Sequence, residues 1–394
     1  MLAAALKEVK LSKFKYFAYC LIANFLSFFI VKKSNRVIIT STHNNSFNFN
    51  SKPIFLYMLN NSNYNVKFII TDEKKRDDLI RLYGEHFISL YGLKNMVFIL
   101  RSKVWVSSSF ELPYIFLKRD RNRRIIHLGH GVPLKKIGLA EEKISFLQKL
   151  NRYLRAKQFT DIIAYSQYFE PYIREVFRNN KARYLHLGQP RNDKEVVEVK
   201  CSEINLLNKL MVNCEAKARF FLYAPTWRSY APTKFFPFDD YDMDKLYEYL
   251  KNNNIYLLIR AHPFYPALYP DSFAFNSHVI DFGSRDFPDI DNYLHLLNGL
   301  ITDYSSIYLD FLRIGKVAFI PYDLDRYEQE VGFSVDYNTH TPGPIINSQD
   351  SLVRYFGEFD NYSIQRNSLA NDLNIKNENN CREILSLIDE CANS

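Results

Sequence analysis

The chain has 394 residues, of which 47% are apolar and 24% charged, and a formal net charge of +8. That length exceeds one ordinary core and suits two α/β domains, while the composition excludes a disordered chain. The positive excess favours polyanionic partners, whether nucleic acid, anionic lipid or phosphate-bearing substrates. Cys20, Cys201, Cys214, Cys381 and Cys391 are scattered, with no CxxC, which argues against a structural zinc site and a disulfide framework and fits a reducing cytoplasm.

In chain order, Lys7, Lys10, Lys13 and Lys15 precede an apolar run, Tyr16 to Val31, that Lys32 and Lys33 close. The run is shorter than the ~20 residues a spanning helix needs, and no small-residue cleavage site follows it. Two readings stand: a basic-flanked helix lying on the inner face of a membrane, or a core helix of the first domain. Candidate strands follow at 35–42, 66–71, 96–100, 104–107 and 124–128, with helices over 51–60 and 75–84. The second half repeats the rhythm, with strands at 220–224, 255–259, 279–281, 299–301 and 317–320. Its helices fall at 243–252, 290–297 and 306–314. A polar helical linker is expected over 192–217.

Short apolar strands alternating with helices indicate parallel βαβ units. The expected architecture is α/β, with two Rossmann-like domains whose parallel sheets face a central cleft. The plan assigns 1–34 to a membrane-associating helix, 35–195 to an acceptor-side domain and 196–394 to a donor-binding domain.

Ligands in such sheets sit beyond the carboxyl ends of the strands. After the 124–128 strand comes Gly129-His130-Gly131-Val132-Pro133-Leu134-Lys135-Lys136. A histidine on such a loop can serve as a general base near neutral pH, and the lysines beyond it can receive phosphate. An ordinary turn carrying a hydrogen-bonded histidine explains the same residues. Thr226 and Arg228 follow the 220–224 strand and offer a hydroxyl and a fork for phosphate. Trp227 between them reads as packing. Arg260 and His262 alternate on one side of an extended segment and suit a diphosphate. Asp303, Ser305 and Ser306 stand at a strand-to-helix switch, where capping and anion binding are both served. No GxxxxGK[ST] and no helix-opening GxGxxG is present, so P-loop and nicotinamide chemistry have no support. The acidic pairs Asp239-Asp240 and Asp323-Leu324-Asp325 read as solvent-facing turns, not as a metal site.

Taken together, HGVPLKKIG (130–138), GQPRND (188–193), YAPTWR (223–228), RAHP (260–263), TDYSSIYLDF (302–311) and PYDLDRYEQEVGF (321–333), with Gly343-Pro344, carry a resemblance. The chain resembles the CDP-glycerol:poly(glycerophosphate) glycerophosphotransferases, the teichoic-acid primases and polymerases of GT-B fold, over roughly residues 35–345. The resemblance implies His130 as base and His262 as its counterpart at the donor phosphates. It implies Thr226, Arg228, Arg260, Asp303, Ser305 and Ser306 as donor or phosphate ligands, and Gly131, Lys135 and Arg191 on the acceptor side or in the cleft. The chain departs from the pattern at Gly129, where an aromatic is common, at Val132 for the Thr of HGTP, and at Val331-Gly332 for an Arg-Gly pair.

The implied reaction moves a polyol phosphate, glycerol phosphate first and ribitol phosphate second, from a CDP-activated donor to a lipid-linked or capsular polymer, releasing CMP. The alternative is a nucleotide-sugar glycosyltransferase of the same fold. No cofactor is called for, Mg²⁺ is left open, and no metal ligands are assigned. The implied partners are CDP-glycerol or CDP-ribitol, a phosphopolyol or saccharide acceptor and the inner membrane surface, with no nucleic acid. The implied location is peripheral, at the cytoplasmic face of the membrane.

Overall fold

The computed structural model describes residues 2–118, 120, 122–194, 218–262, 265–287 and 289–394. They form two compact units. Among the described residues, unit 1 takes in 2–130, 138–194 and 378–394, and unit 2 takes in 131–137 and 218–377. The sequence plan gave all of 196–394 to one domain, but residues 378–394 cluster with unit 1, and the short segment 131–137 clusters with unit 2. The expected linker over 192–217 lies, from 195 on, outside the described residues.

Unit 1 is built on a seven-stranded parallel sheet of β1 (Lys33–Thr40), β2 (Asn65–Ile69), β3 (Phe87–Ile88), β4 (Ser102–Ser107), β5 (Arg124–His127), β6 (Asp161–Ile163) and β7 (Arg183–Leu185), ordered β3-β2-β1-β4-β5-β6-β7. Val37, Ile38 and Ile39 are all fully buried in β1, so both faces of the sheet are covered, as a doubly wound sheet requires. Its helices include α1 (Leu2–Ser27), α2 (Ser51–Asn61), α3 (Glu73–Tyr83), α4 (Leu93–Arg101), α5 (Phe146–Ala156) and α6 (Glu170–Phe177). The strand expected at 96–100 is in fact α4. Its buried residues Met96, Ile99 and Leu100 follow helical spacing, and a five-residue apolar run does not separate the two periods.

Of the N-terminal run, α1 buries only a narrow stripe. Cys20 and Ala23 are buried, the Tyr16 hydroxyl donates to Leu112 O (3.3 Å), and Asn24 Nδ2 donates to Ile115 O (2.9 Å). Phe17, Leu21 and Phe25 on the other side are 59%, 50% and 64% exposed. The helix therefore packs on unit 1 without becoming a core helix.

Unit 2 carries a five-stranded parallel sheet of β8 (Arg219–Tyr223), β10 (Ile255–Ile259), β12 (Val279–Asp281), β13 (Gly299–Thr302) and β14 (Lys316–Phe319), ordered β12-β10-β8-β13-β14. A two-stranded pair, β9 (Thr233–Lys234) and β11 (Ala267–Leu268), lies beside it. The helices are α7 (Met243–Asn252), α8 (Ile307–Phe311), α9 (Leu324–Glu330), α10 (Gln349–Gly357) and α11 (Ser363–Asp372). The core joins Phe221, Tyr223, Leu246, Leu257, Ile301 and Phe356.

The helix expected over 290–297 is two single 3-10 turns, Ile290–Asn292 and Leu294–Leu296. Asn292, Tyr293 and Leu294 are all buried, and three consecutive buried residues do not fit one face of an α-helix. The helix expected over 306–314 shortens to α8. The last helix, α12 (Asn380–Asn393), packs on α2 and β4. Buried Asp193 holds its first turn to unit 1 by accepting from Asn380 N (3.0 Å) and Cys381 N (2.7 Å).

Candidate active site

In unit 1 the functional side chains stand at the carboxyl ends of β1, β4 and β5. Beyond β5 the chain turns sharply at Gly129, whose φ is +74°, a left-handed conformation that glycine adopts without cost to a side chain. His127 braces this turn from beneath: its Nδ1 accepts from Gly129 N at 3.0 Å. The His127 ring is boxed by Phe110, Phe159 and Phe177 at 5.7, 4.9 and 4.6 Å. Burial first, and the charge of His130 second, bring its pKa down to about 3, so it remains a neutral strut.

His130 follows the turn with its ring at the surface. A carbonyl can only accept, so the 3.3 Å contact between His130 Nδ1 and Ser108 O puts the proton on Nδ1 and leaves Nε2 as the basic nitrogen. Phe49 packs on the ring at 5.5 Å. Desolvation among these packed groups, and then the charge of Arg191, lower the imidazole pKa, so the neutral, base-competent form persists to lower pH.

A single buried amide ties the loops together. Asn50 Nδ2 donates to Gly129 O (2.8 Å) and Leu128 O (3.3 Å), while its Oδ1 accepts from Arg191 N (3.1 Å). Arg191 closes the ring by donating from Nη1 to His130 O (3.0 Å). The next residue, Ser51, bonds Thr40 O and the Ser108 hydroxyl. Arg191, expected on the acceptor side or in the cleft, thus holds the His130 backbone. Asn50, Ser108, His127 and Phe49 were not singled out from the sequence. Asn50 was within reach of the strand-end rule, since it stands in the polar stretch just after β1. His127 was masked by its place inside an apolar strand.

In unit 2 the corresponding strand ends carry a charge network. Asp303, fully buried after β13, accepts from Thr226 N (2.7 Å) and Tyr304 N (2.5 Å) and lies 3.0 Å from Arg228 Nη1. Arg228 also reaches Asp323 through Nε (2.8 Å) and Nη2 (2.7 Å) and Thr226 O through Nη1 (2.6 Å). Its side chain is 0% exposed. A guanidinium so fully committed holds the strand-end loops in register; it is not an open phosphate clamp. The Asp323 carboxylate, placed in solvent by the sequence reading, is instead a hub of this network, taking hydroxyls from Tyr230 (2.8 Å) and Tyr304 (3.1 Å). Asp239, Asp240 and Asp325, the other acidic residues read as solvent-facing, are exposed, and Asp240 accepts from Gln349 N and Asp350 N at the start of α10.

The Thr226 hydroxyl is buried and has no hydrogen-bond partner among the described residues. Ser306 precedes α8 without making a side-chain cap bond, and Ser305 Oγ makes only a 3.5 Å contact with Ile307 N. Arg260 donates from Nη1 to Phe282 O (2.9 Å) and Phe287 O (2.8 Å), and so anchors the loop after β12. His262 lies beside Trp227 and Tyr265 (5.9 and 5.1 Å), which stack on each other at 4.1 Å. Desolvation, then the charges of Lys135 and Arg260, lower the His262 pKa, which places both cations in its field. Lys135, and with it Gly131 (φ +129°), belongs to unit 2. Among the described residues no three His, Cys, Asp or Glu side chains are placed to hold a metal ion.

Parallel sheets in both units, with polar loops gathered at the strands' carboxyl ends, put the chain among GT-B-like enzymes. The structure is similar to the wall teichoic acid polymerase TagF solved after a CDPG soak, with a TM-score of 0.74 at 21% identity, covering 100% of this chain and 98% of that one. It is more distantly similar to Staphylococcus aureus MnaA bound to UDP, with a TM-score of 0.53 at 12% identity, covering 92% and 97%. In sequence it is 24% identical over 339 residues to the teichoic acid glycerol-phosphate transferase of S. aureus, covering 83% of this chain and 84% of that protein. It is 26% identical over 346 residues to the teichoic acid poly(glycerol phosphate) polymerase of Bacillus spizizenii, covering 84% and 85%. The model of the CDP-Glycerol:Poly(glycerophosphate) glycerophosphotransferase family matches residues 22–381, and the chain belongs to that family. The nucleotide-sugar glycosyltransferase alternative is not favoured.

Proposed function

We propose that the chain transfers a polyol-phosphate unit, glycerol phosphate before ribitol phosphate, from a CDP-activated donor to a hydroxyl of a lipid-linked or polymeric acceptor. His130 Nε2 takes the acceptor hydroxyl's proton as that oxygen bonds to the donor β-phosphorus. The bond from the β-phosphorus to the bridging oxygen breaks, and CMP leaves with the electron pair. Unit 2 supplies the donor side: the Thr226, Ser305 and Ser306 hydroxyls and the field of Arg260 and His262 meet the charge spread over the phosphates. Arg228 and Asp303 hold those loops in place. The observation that carries the reading is the lodging of His130, with its Nδ1 turned to Ser108 O and its pKa lowered. A base needs that tautomer and that protonation state at neutral pH.

The same reading sets the enzyme on the cytoplasmic face of a membrane as a peripheral protein. Among the described residues no helix is long and apolar enough to cross a membrane. What supports surface binding is the exposed apolar side of α1 together with α5, where Phe146, Leu147, Leu150 and Leu154 are exposed on a helix that also carries Lys149, Arg152 and Arg155. Arg155 lies over the Tyr16 ring at 5.8 Å, so the two helices adjoin. Apolar rows flanked by cations suit an anionic lipid surface.

The test is CMP release by the purified chain from CDP-glycerol, CDP-ribitol and a panel of UDP-sugars, with a phosphopolyol acceptor and His130→Ala as control. CMP released only from a CDP-polyol, and lost in the control, bears out the reading and names the donor. Turnover of a UDP-sugar without CMP release refutes it.

A further inference from the structure

Lys135 follows His130 in the HGVPLKK segment but packs with unit 2. The segment is strapped there by an antiparallel bridge between Lys135 and Phe333 and by Ser334 N donating to Leu134 O (2.8 Å). Ser334 Oγ donates to Lys135 O (2.8 Å), and Lys136 N to Gly332 O (3.3 Å). These backbone ties seat the root of the Lys135 side chain in unit 2. Nζ stands 5.9 Å from the ring centroids of both Trp227 and Tyr327. Among the described residues the ammonium makes no hydrogen bond or ion pair. The acid that acts on it, Asp303, already accepts two backbone N–H groups and pairs with Arg228. Lys135 is half-buried, and an ammonium flanked by two rings without an anion is open to a ligand's phosphate. Next to Trp227 in the chain, the buried Thr226 hydroxyl also has no partner among the described residues.

We propose that Lys135 is a donor-phosphate ligand: its ammonium, between Trp227 and Tyr327, binds the phosphate of the cytidine nucleotide in unit 2. The proposal rests on the CDP-donor reading and assigns Lys135, expected on the acceptor side or in the cleft, to the donor side. Desolvation brings the Lys135 pKa down to about 8, Asp303 opposing the fall and Arg228 adding to it. The charged and titratable groups facing it are Asp303, Arg228, His262 and Tyr327. Of these only Lys135 changes charge in the alkaline range just above neutrality: His262, its pKa lowered, stays neutral there, and burial raises the Tyr327 phenol. Because the protonated form binds, affinity for a nucleotide phosphate falls as pH rises through about 8, by about tenfold one unit above that pKa.

The test is isothermal titration of the full chain with CMP, CDP-glycerol and cytidine, for wild type, Lys135→Met and Lys135→Arg, from pH 6.5 to 9.5. A charge-assisted phosphate contact is worth roughly a 10- to 100-fold change in affinity. The expected result is that K135M loses that much for CMP and CDP-glycerol while cytidine binds as before. K135R retains phosphate binding and flattens its decline above pH 8. The proposal is overturned if K135M binds CMP like wild type, or loses cytidine together with CMP. A wild type that binds cytidine nucleotides in neither form refutes the donor reading itself, which the K135M comparison alone does not touch.

Discussion

Arg228→Met tests whether the unit 2 strand ends are held by charge or by packing. Methionine keeps much of the aliphatic volume against Tyr322, whose ring centroid lies 4.4 Å from the guanidinium carbon, but it strands two carboxylates. Removing one partner of a buried pair costs about 3–5 kcal/mol. Asp323 is 15% exposed and keeps two tyrosine hydroxyls, so the lower end of that range, about 3 kcal/mol in unit 2, is expected. For a unit of this size the loss corresponds to a fall in Tm of about 6–12 °C. Because the chain has two units, the assay is hydrogen exchange resolved by peptide, read on β8 and β13 as urea rises. The sign of the pH dependence is fixed. Burial alone would raise the Asp323 pKa, but the hydrogen bonds and charge of Arg228, with the tyrosine hydroxyls, hold it low. Its stabilising contribution is therefore present above the unfolded carboxylate pKa of about 3.9 and is lost as pH falls through the lower folded value. In the variant the abandoned Asp323 carboxylate takes up a proton more readily, so the gap from wild type is widest near pH 7 and narrows toward pH 4. A variant within ~1 kcal/mol of wild type at pH 7, or a gap that stays constant down to pH 4, refutes the argument.

The His130 pKa is lowered, so the acid limb of kcat/KM should fall below the ordinary imidazole value of about 6.5. Arg191→Gln should move that limb upward, and a wild-type limb above pH 7 counts against His130 as the base. Asn50→Ala removes the ties to Gly129 O, Leu128 O and Arg191 N and should lower kcat by roughly 10- to 100-fold through misplacement of His130. Its CMP affinity should stay at the wild-type value, and a Kd change in place of a kcat change would show that Asn50 serves the donor. Leu21→Ser with Phe25→Ser should weaken co-sedimentation with anionic vesicles at least about tenfold, since each apolar side chain contributes up to ~1.5–3 kcal/mol when buried. Unchanged sedimentation would remove α1 from the membrane face.

The parallel-sheet plan was legible because β10 is an unbroken apolar run and β1 ends in Val37-Ile38-Ile39, each placed between helix-length segments. What escaped was short or ambiguous. β3, β6 and β7 are two or three residues long, too short for a period to register, and α4 looks like a strand because five apolar residues fit either period. At the site, His130 and His262 were legible as histidines beyond strand ends. Arg228 was read as a phosphate clamp, but the anions it meets in the structure are the protein's own Asp303 and Asp323. Local sequence cannot reveal that pairing, because Asp323 comes from the far side of β14. The same limit hid which unit holds Lys135: a residue adjacent to the unit 1 loop in sequence packs with unit 2, and only tertiary contacts decide such a crossing.

Gly129 carries the last prediction. An alanine there would place its Cβ 1.8 Å from the Tyr165 hydroxyl oxygen, at a backbone φ of +74°. Tyr165 itself, 2% exposed after β6, has a φ of +66°, so the left-handed backbone ahead of His130 is matched by a second one beneath it. Where the family resemblance leads one to expect an aromatic before the histidine, this chain has glycine, and the bulk comes from the neighbouring strand's end. Gly129→Ala must therefore move Tyr165 or swing the loop, in addition to a left-handed backbone cost of about 1–2 kcal/mol. Because His127 and Asn50 both grip this turn, the displacement passes to His130. The expected result is a fall in kcat with CMP affinity intact. Adding Tyr165→Phe removes the oxygen but leaves the ring carbon at 3.0 Å and the backbone strain, so the double variant should recover only part of the loss. Wild-type turnover by Gly129→Ala would mean that the loop carrying His130 adjusts freely, and that its rigid lodging is not what makes the histidine a base.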